Sequence, residues 1–369
     1  MKGIIVLIDG LGDSRYKELG NKTPLEKART PNMDFLAREG KVGMMTVIAK
    51  DIAPESDKAM IALLGFDPFK VHTGRGVLEA HGSGIKIKGV VARCNFSEIK
   101  NGRITRIQGA TEKQVRGYAK IFSDEKIKII PTGDYRAVMM IKTKSSPRVT
   151  NTHPGYKIVK NYVSTALPIR GRKLKAQRCK PLEKNAEETA KLINEFTKKV
   201  EKTLKSKTIL VRGCGNKLPK LRKLKGRWAL LADTPVEKGV GKIAGMEILP
   251  KSQNLKKTFN TIKNNFNKYD NFYLQIKGPD TYAHLGDVKG KVKAIEKIDR
   301  EFISRIRKLK VVICVTGDHS TECRLKAHSK LPVPLLIYGK GKDDAKVFSE
   351  KECKKGIKIY GKELLKLVG

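Results

Sequence analysis

The sequence lacks a long uninterrupted apolar run. No segment approaches the roughly 18 apolar residues that a membrane-spanning helix needs, so we expect neither a transmembrane helix nor a membrane partner. The N-terminal stretch MKGIIVLIDGLGD resembles a secretory signal because a lysine precedes apolar residues. Its apolar run ends at Asp9 after about six residues, which is too short for the hydrophobic part of a signal peptide. We therefore expect this stretch to form a first buried strand.

The cysteines lack the spacing of a zinc or redox motif. Six are scattered along the chain, at positions 94, 179, 214, 314, 323 and 353. No two of them form a CxxC pair, which argues against a zinc knuckle and against a disulfide framework. We expect reduced thiols and a cytoplasmic location.

Acidic residues are scarce relative to basic ones. The chain has 78 Lys and Arg against 37 Asp and Glu, a formal net charge of +41. Such a charge attracts anions, and nucleic acid is one class of anionic partner. The basic residues are spread along the whole chain, however, without a basic tail or an aromatic-interleaved block of the kind that binds single strands. A lysine-rich solvated surface is the favoured interpretation, nucleic-acid binding is the less favoured one, and the oligomeric state is left open.

Short apolar runs that end in acidic or polar loops indicate a buried parallel sheet. Residues 3–9 (GIIVLID) and 311–316 (VVICVT) are such runs. Helices are predicted at 30–40, 185–204 and 291–309, and the last leads directly into the strand at 311–316. This alternation of strands and helices predicts an α/β fold with a doubly wound sheet.

The middle of the chain has a different pattern. Three predicted strands lie among polar loops, at 89–99, 137–143 and 208–215. Residues 142–180 between them show little periodicity. We predict a core domain formed by 1–84 and 246–369, with a smaller α/β domain of residues 85–245 inserted into it.

Four separated clusters contain groups suited to catalysis or metal binding. They are Asp9 in DGLGD, Ser56 in PESDKAM, residues 277–284 (KGPDTYAH) and residues 316–334 (TGDHSTECRLKAHSKLPVP). Asp9 ends a predicted strand, and ligands of open α/β sheets bind beyond the carboxyl ends of strands. Ser56 heads a short apolar helix, where a serine is either an N-cap or a nucleophile whose phosphorylated form rests on the helix N-terminus.

The last two clusters have the residue types of a metal site. Asp280 and His284 are four residues apart, so a helix would present both on one face. Asp318 and His319 follow the predicted strand at 311–316, and His328 lies in a proline-bounded loop. Carboxylates and imidazoles without thiolates suit Mn²⁺, Mg²⁺ or Zn²⁺.

Each cluster also has an ordinary structural interpretation. A lone DxxxH is most often a surface pair, and TGDHS alone could be a turn capped by its aspartate. The remaining histidines, His72, His81 and His153, fall outside the clusters, and we interpret them as structural or solvent-facing. The combination of the four clusters carries the functional argument.

The order of these clusters resembles the alkaline phosphatase superfamily: Asp-Gly near the start, Ser in PESD, KxxDxxxH, TGDHS, and a late His before PVP. Within it, four further segments resemble archaeal-type 2,3-bisphosphoglycerate-independent phosphoglycerate mutase. They are TPNMD (30–34), LGFDPFKVHTGRGVLEA (64–80), RCNF (93–96) and GVGKIAGM (239–246). The resemblance covers nearly the whole chain and is loosest over 97–238.

The resemblance implies an alkaline-phosphatase-like fold and a two-metal mechanism. Asp280, His284 and His328 would hold one divalent ion. The second ion would be held by a further group of four residues, namely Asp9, Ser56, Asp318 and His319. Mn²⁺ is the favoured metal, with Mg²⁺, Zn²⁺ or Co²⁺ as alternatives, and no 2,3-bisphosphoglycerate is required.

The same resemblance implies the chemistry. Ser56 would take the phosphoryl group from 2- or 3-phosphoglycerate, a step of glycolysis and gluconeogenesis, and return it to the other hydroxyl. Lys277 would neutralise charge on the transferring group. An N-cap role for Ser56 is compatible with this one.

The inserted domain is expected to bind the substrate carboxylate through arginine, which binds carboxylates in a bidentate manner. The candidates are Arg93, Arg106, Arg136 and Arg212, each of which could equally be a surface arginine of a basic protein. The family's DRRAGR-type segment reads TRIQGAT at 105–111, and its Asp-Pro-His segment reads THPGY at 152–156. Asp134 is a conceivable substitute acid or base.

Two other functions remain open. One is a metal-dependent phosphatase or phosphotransferase of the same superfamily that acts on another small phosphoester. The other, less favoured, is a polyanion-binding protein that uses its +41 charge without chemistry.

Overall fold

The computed structural model describes residues 2–160, 162–168 and 174–368. Its strands are β1 Gly3–Ile8, β2 Gly40–Thr46, β3 Val90–Lys100, β4 Arg103–Arg106, β5 Ile127–Gly133, β6 Arg136–Ile141, β7 Tyr156–Lys160, β8 Val163–Ala166, β9 Lys207–Gly215, β10 Trp228–Leu231, β11 Glu247–Ile248, β12 Asn271–Ile276, β13 Val312–Thr316, β14 Ser320–Glu322, β15 Ala327–Ser329, β16 Val333–Tyr338 and β17 Ile357–Tyr360.

The α-helices alternate with these strands. They are α1 Pro24–Lys27, α2 Pro31–Arg38, α3 Ser56–Leu63, α4 Pro68–Val71, α5 Arg75–Gly82, α6 Glu112–Phe122, α7 Glu187–Leu204, α8 Pro235–Ile243, α9 Leu255–Asn264, α10 Pro279–Leu285, α11 Val288–Ile298, α12 Ser304–Ile306, α13 Glu350–Cys353 and α14 Leu364–Val368. The helix predicted at 291–309 is continued from α11 to α12 by a π-helical turn at Asp299–Ile303.

The larger sheet of the described chain has the strand order β11-β10-β12-β1-β13-β16-β2-β17. β1 pairs in parallel with β12 on one side and with β13 on the other. Its residues are buried throughout, because an apolar cluster packs on each face of the sheet. The predicted α/β class with a doubly wound sheet is therefore confirmed, with β16 added as an antiparallel strand.

A second, antiparallel sheet is built from the middle of the chain. Its order is β4-β3-β6-β5, and β9 pairs with β3. Helices α6 and α7 pack on it through their apolar sides, Val115 and Phe122 from α6 and Ile193 and Phe196 from α7. Residues 142–180, which lack periodicity, contain the separate hairpin of β7 and β8.

Sheet pairing corrects one boundary of the predicted insertion. β10 lies within the segment 85–245, yet it pairs in parallel with β12 in the larger sheet. The predicted end at residue 245 does not match this pairing, because a short buried strand followed by a helix is compatible with either sheet in the sequence. The second sheet ends with β9, so we now place the boundary between Gly215 and Trp228. The division into two domains itself stays a prediction.

Two sequence expectations concern the chain as a whole. None of the helices in the described ranges is long and apolar enough to cross a membrane. The six cysteines are free and buried.

Candidate active site

The candidate site lies at the carboxyl edge of the central parallel strands. Asp9 directly follows β1, Asp318 and His319 follow β13, and Lys277 follows β12. The pairing register aligns Ile8 with Ile276 and Leu7 with Thr316, so these three loops leave the sheet side by side. Residues that are some 270 to 310 positions apart in sequence thus meet at one edge, as expected for an open α/β sheet.

Ser56 is the first helical residue of α3, and Glu55 occupies the N-cap position. No side-chain hydrogen bond caps this helix. The N-cap interpretation of Ser56 is therefore wrong by one position, because the chain enters the helix at an extended Glu55. The Ser56 side chain is half-buried and lines a pocket.

The site contains two groups of candidate ligands, and Asp280 and His328 of the first group line the pocket together with Ser56. Asp280, His284 and His328 form one group, and their ligand atoms lie within 4.8 Å of one another. Helix α10 presents Asp280 and His284 four residues apart on one face, as predicted, with Nε2 of His284 3.4 Å from Oδ1 of Asp280. Nε2 of His328 lies 3.8 Å from the same oxygen.

The second group consists of Asp9, Asp318 and His319, and its ligand atoms meet the same 4.8 Å limit. Nε2 of His319 is 3.4 Å from Oδ1 of Asp9 and 3.4 Å from Oδ2 of Asp318. The two groups are adjacent, since the rings of His319 and His328 stack with 3.5 Å between centroids.

Hydrogen bonds at Nδ1 leave Nε2 of His284 and of His328 facing the carboxylate of Asp280. Nδ1 of His328 is 2.5 Å from the carbonyl of Pro54, and Nδ1 of His284 is 3.0 Å from the carbonyl of Lys326. A carbonyl only accepts, so in both rings Nδ1 carries the proton and Nε2 keeps its lone pair. Such partners fix the tautomer and orientation of a metal-binding histidine.

Buried atoms without partners indicate where a cation would fit. Oδ1 of Asp9 and Nε2 of His319 are buried and have no hydrogen-bond partner among the described residues. Unpaired buried polar atoms are rare in native proteins, and both atoms point within the second group. A hard or borderline divalent cation matches this set of two carboxylates and an imidazole.

The pKa values agree with a cation-binding role. Burial lowers the pKa of His319 and of His328 to about 3, so both imidazoles are neutral at pH 7 and have a lone pair to offer. Burial raises the pKa of Asp9, and burial together with the neighbouring Asp9 raises that of Asp318 well above its usual value. Crowded buried carboxylates of this kind need positive charge nearby.

Lys277 supplies part of that charge. Its Nζ donates to Oδ2 of Asp9. Burial alone would lower the pKa of Lys277, but Asp9 and Glu237 raise it above its usual value, so the ammonium form persists. Lys277 lines the pocket next to Ser56.

The pocket is lined by residues from the larger-sheet part of the chain and from the middle part that contains the second sheet. Almost all of the lining side chains are polar. Its lining residues are Glu55, Ser56, Arg75, Arg136, Tyr156, Arg212, Thr234, Glu237, Lys277, Asp280 and His328. Ser56, Lys277, Asp280 and His328 come from the predicted set, together with Arg136 and Arg212. Three guanidinium groups therefore face the serine and the metal-ligand groups.

The structure treats the four predicted arginines differently. Arg136 and Arg212 line the pocket, and the guanidinium of Arg212 lies 3.9 Å from the centroid of the Tyr156 ring. Arg93 is buried and does not line the pocket, because its Nε lies 3.4 Å from Glu79 and its Nη1 donates to the carbonyl of Cys94.

Arg106 is placed away from the pocket, contrary to the prediction. It is exposed on β4, the outer strand of the second sheet, opposite Glu98. Asp134, considered as a substitute acid or base, is exposed at a turn with φ +52° between β5 and β6. Neither residue is among those lining the pocket.

Sequence reasoning missed Arg75, Glu55 and Tyr156. Arg75 begins α5 and lies in the segment HTGRGVLEA, which carried the family resemblance, so a signal for it existed. Tyr156 lies in THPGY, where the chain departs from the family pattern. Glu55 directly precedes Ser56, but nothing in the sequence distinguishes its role from that of an ordinary helix-start acid.

Glu55 connects the helix of Ser56 to the second sheet. Its carboxylate accepts from Lys58 at 2.7 Å and from both Arg212 on β9 and Ser164 on β8. Burial opposes ionisation, but Lys58 and Arg212 lower the pKa of Glu55 to about 2, so it stays a carboxylate. The contact holds Arg212 close to Ser56.

Two of the other three histidines have structural partners. His72 is buried, with Nε2 2.8 Å from Oδ2 of Asp57 in the first turn of α3. His153 is buried beside Tyr156, and its Nδ1 accepts from the backbone of Gly155 at 3.1 Å. His81 lies at the end of α5.

Comparison with known proteins identifies the family. A profile of the 2,3-bisphosphoglycerate-independent phosphoglycerate mutases matches residues 37–209. The curated 2,3-bisphosphoglycerate-independent phosphoglycerate mutase of Methanosphaera stadtmanae is 34% identical, with 100% of this chain and 97% of that protein covered. The chain belongs to this family. A probable member from Thermotoga neapolitana is also 34% identical, over 96% of this chain and 89% of its own length.

Solved structures agree on the fold. A protein from Pyrococcus horikoshii superimposes with a TM-score of 0.77 at 27% identity, covering 100% of this chain and 96% of its own. The cofactor-independent phosphoglycerate mutase of Thermoplasma acidophilum gives 0.60 at 23% identity with full coverage of both chains. The family to which the sequence motifs pointed is confirmed, and the chain has the fold of these proteins.

Proposed function

We propose that the protein interconverts 2- and 3-phosphoglycerate through a phosphoserine at Ser56. The observation that carries this proposal is the pocket itself. It brings a half-buried serine at a helix start together with three arginines and with Asp280 and His328 of the first ligand group. The second ligand group is adjacent through the stacked rings of His319 and His328. Membership in the mutase family supports the substrate and the independence from 2,3-bisphosphoglycerate.

Ser56 is the nucleophile in this proposal. Its Oγ attacks the phosphorus of the substrate and gives up its proton, and the bond from phosphorus to the glycerate oxygen breaks. That oxygen takes up a proton and becomes a hydroxyl, so glycerate stays in the pocket beside phosphoserine. The other glycerate hydroxyl then attacks phosphoserine, and Ser56 Oγ leaves and regains a proton. The phosphoserine would rest at the N-terminus of α3, whose backbone N–H groups favour an anion.

Two divalent ions would be held by Asp280, His284 and His328 and by Asp9, Ser56, Asp318 and His319. Bound there, they would lower the pKa of the serine hydroxyl and neutralise phosphoryl charge. Mn²⁺ is the proposed metal, and Mg²⁺, Zn²⁺ and Co²⁺ are the alternatives. Lys277 lies beside Asp9 and places a further positive charge at the phosphoryl position.

The arginines of the pocket would hold the carboxylate of the glycerate. Arg212 and Arg136 come from the second sheet, and Arg75 comes from α5. A glycerate retained between the two transfers would therefore accept hydrogen bonds from arginines of both elements. Reorientation within the pocket requires that water be excluded, since water would hydrolyse phosphoserine. The second-sheet region is proposed to serve as that cover.

A second candidate is a metal-dependent phosphatase or phosphotransferase acting on another small phosphoester. The exposed position of Arg106 and the altered TRIQGAT segment favour it, because part of the family's expected substrate side is absent from the pocket. The nucleophile and the ligand groups serve either reaction.

The free cysteines support the proposed cytoplasmic location.

The deciding experiment is an enolase-coupled assay with 3-phosphoglycerate, Mn²⁺ and no 2,3-bisphosphoglycerate. Activity should require both metal and Ser56, so Ser56→Ala should be inactive. Ser83→Ala, which changes an exposed serine at the end of α5, is the matched control and should be fully active. Phosphate release from other esters without mutase activity would favour the second candidate. Activity retained in Ser56→Ala would contradict both.

A further inference from the structure

One buried hydroxyl touches both groups of metal-ligand residues. Thr321 lies on β14 and is fully buried. Its Oγ1 is 2.8 Å from Oδ1 of Asp280 and 3.0 Å from Nδ1 of His319. Asp280 belongs to one group and His319 to the other.

The directions of these two hydrogen bonds follow from proton counting. A hydroxyl has one proton to donate, and an ionised carboxylate can only accept. Oδ1 of Asp280 lies 2.8 Å from Oγ1 of Thr321, so the carboxylate is the acceptor in this bond. Thr321 therefore donates to Asp280 and accepts from Nδ1–H of His319.

This arrangement fixes His319 for metal binding. With its proton on Nδ1, the ring keeps the Nε2 lone pair directed at Asp9 and Asp318. His328 and His284 achieve the same state with the backbone carbonyls of Pro54 and Lys326. Only at His319 is the partner of Nδ1 a side chain that also holds a ligand of the other group, among the three histidines of the site.

The backbone around Thr321 keeps the hydroxyl in place. The Thr321 N–H donates to the carbonyl of Gly12 at 3.0 Å, and the Thr321 carbonyl accepts from the buried Lys291 at 2.8 Å. Gly10, with φ +67°, passes so close that a Cβ there would lie 2.8 Å from Oγ1 of Thr321. The loop after β1 thus packs directly against this hydroxyl.

We propose that Thr321 is a positioning residue that couples the two metal sites. A cation on Nε2 of His319 makes Nδ1–H a stronger donor, which polarises the Thr321 hydroxyl and strengthens its bond to Asp280. Binding at one site then favours the ligand geometry of the other, and the coupling is reciprocal. The proposal rests on the proposed two-metal function.

Gln275 provides a contrast. Its Nε2 donates to both Asp9 and Asp318, at 3.2 Å each, so it bridges two ligands of a single group. Loss of Gln275 should weaken one site only. Loss of the Thr321 hydroxyl should weaken both.

The test is Mn²⁺ binding to chelator-treated full-length protein, followed by calorimetry and by electron paramagnetic resonance of the bound ions. Wild type should bind two ions with coupled spectra. Thr321→Val should lose about tenfold or more in affinity at each of the two sites, the range found for outer-shell partners of metal ligands. Thr321→Ser, which keeps the hydroxyl, should restore most of it.

Thr258→Val is the matched control. Thr258 lies in α9 and is equally buried. Its hydroxyl donates to the carbonyl of Ser252 and accepts from the N–H of the same residue, which precedes the helix. It should cost stability without changing either metal affinity. Circular dichroism and thermal melting confirm that each variant is folded, and Thr321→Ala is the second variant without the hydroxyl if Thr321→Val does not fold.

The outcomes separate the two claims. Two intact sites in Thr321→Val, or weakening of a single site, would overturn the coupling while leaving the proposed function in place. A wild-type protein that binds fewer than two ions would overturn the two-metal site itself. Equal affinities in wild type and Thr321→Ser, with loss at both sites in Thr321→Val, would support the coupling.

Discussion

The larger sheet and the second sheet contribute to the same pocket in different ways. The larger sheet presents Asp9, Lys277 and Asp318 directly after three adjacent parallel strands. The second sheet presents Arg136 from the start of β6 and Arg212 from within β9. The carboxyl ends of parallel strands all lie at one edge of the sheet, whereas neighbouring strands of an antiparallel sheet end at opposite edges.

This difference explains why the sequence predicts the positions of the strand-end acids better than those of the arginines. For Asp9 or Asp318, standing at the end of a buried strand is enough to predict a place at the site. For the arginines, position depends on register. Arg93 and Arg212 are paired residues on β3 and β9, yet Arg212 lines the pocket and Arg93 is held by Glu79.

The largest expected effect is on the metal-ligand side of this comparison. Asp318→Asn should reduce mutase activity by about 10³-fold or more, because losing a charged metal ligand costs several kcal/mol of transition-state stabilisation. Steady-state kinetics and Mn²⁺ binding measure it. Asp270→Asn, an exposed aspartate paired with Arg227, is the control and should behave as wild type. Unchanged metal affinity in Asp318→Asn would remove it from the site.

A smaller effect is expected on the arginine side. Arg212→Gln should lower kcat/KM by about 10- to 100-fold, the equivalent of one or two charge-assisted hydrogen bonds to the substrate. Arg106→Gln should leave kcat/KM within about twofold, since an exposed guanidinium that touches no substrate contributes nothing to transition-state binding. The reverse order of the two variants would mean that the second sheet approaches the substrate by another surface.

The sequence predicts the fold class and the ligand groups well, and it predicts the boundary of the insertion and some pocket residues poorly. The physical reasons for the two outcomes differ. The α/β class, the family and the ligand groups follow from local patterns: apolar runs, a four-residue helical spacing and strand-end acids. The predicted boundary at 245 does not match the sheet pairing, because β10 is only four residues long and pairs with β12, whose place no local pattern records. Glu55 accepts from Arg212 on β9, and the guanidinium of Arg212 also lies over the Tyr156 ring. Both contacts join residues that are distant in sequence, which no local pattern records.

The smallest effect on activity is expected at Glu350, a buried carboxyl outside the pocket, where we expect a change in stability and none in kcat. Glu350 is buried away from the pocket, 2.6 Å from the hydroxyl of Thr23, and burial raises its pKa to about 7. Between about pH 4.5 and 7 the folded chain keeps a proton that the unfolded chain has lost, so stability falls as the pH rises through this window.

Glu350→Gln removes that ionisation. It should raise the free energy of unfolding at pH 8 by up to about 3 kcal/mol, with little gain at pH 5 and no change in kcat. Urea denaturation at both pH values measures the difference. An equal gain at the two pH values would show that the Glu350 carboxyl does not titrate as described.

The most direct test of the account is to trap the phosphorylated enzyme. Wild-type protein is mixed with Mn²⁺ and 3-phosphoglycerate labelled in the phosphoryl group, quenched in acid within milliseconds to seconds, and analysed by peptide mass spectrometry. The account predicts phosphate on the peptide that contains Ser56, formed and lost at rates consistent with turnover, and no label in Ser56→Ala. Turnover without phosphate on Ser56, or phosphate carried by another residue, would contradict it.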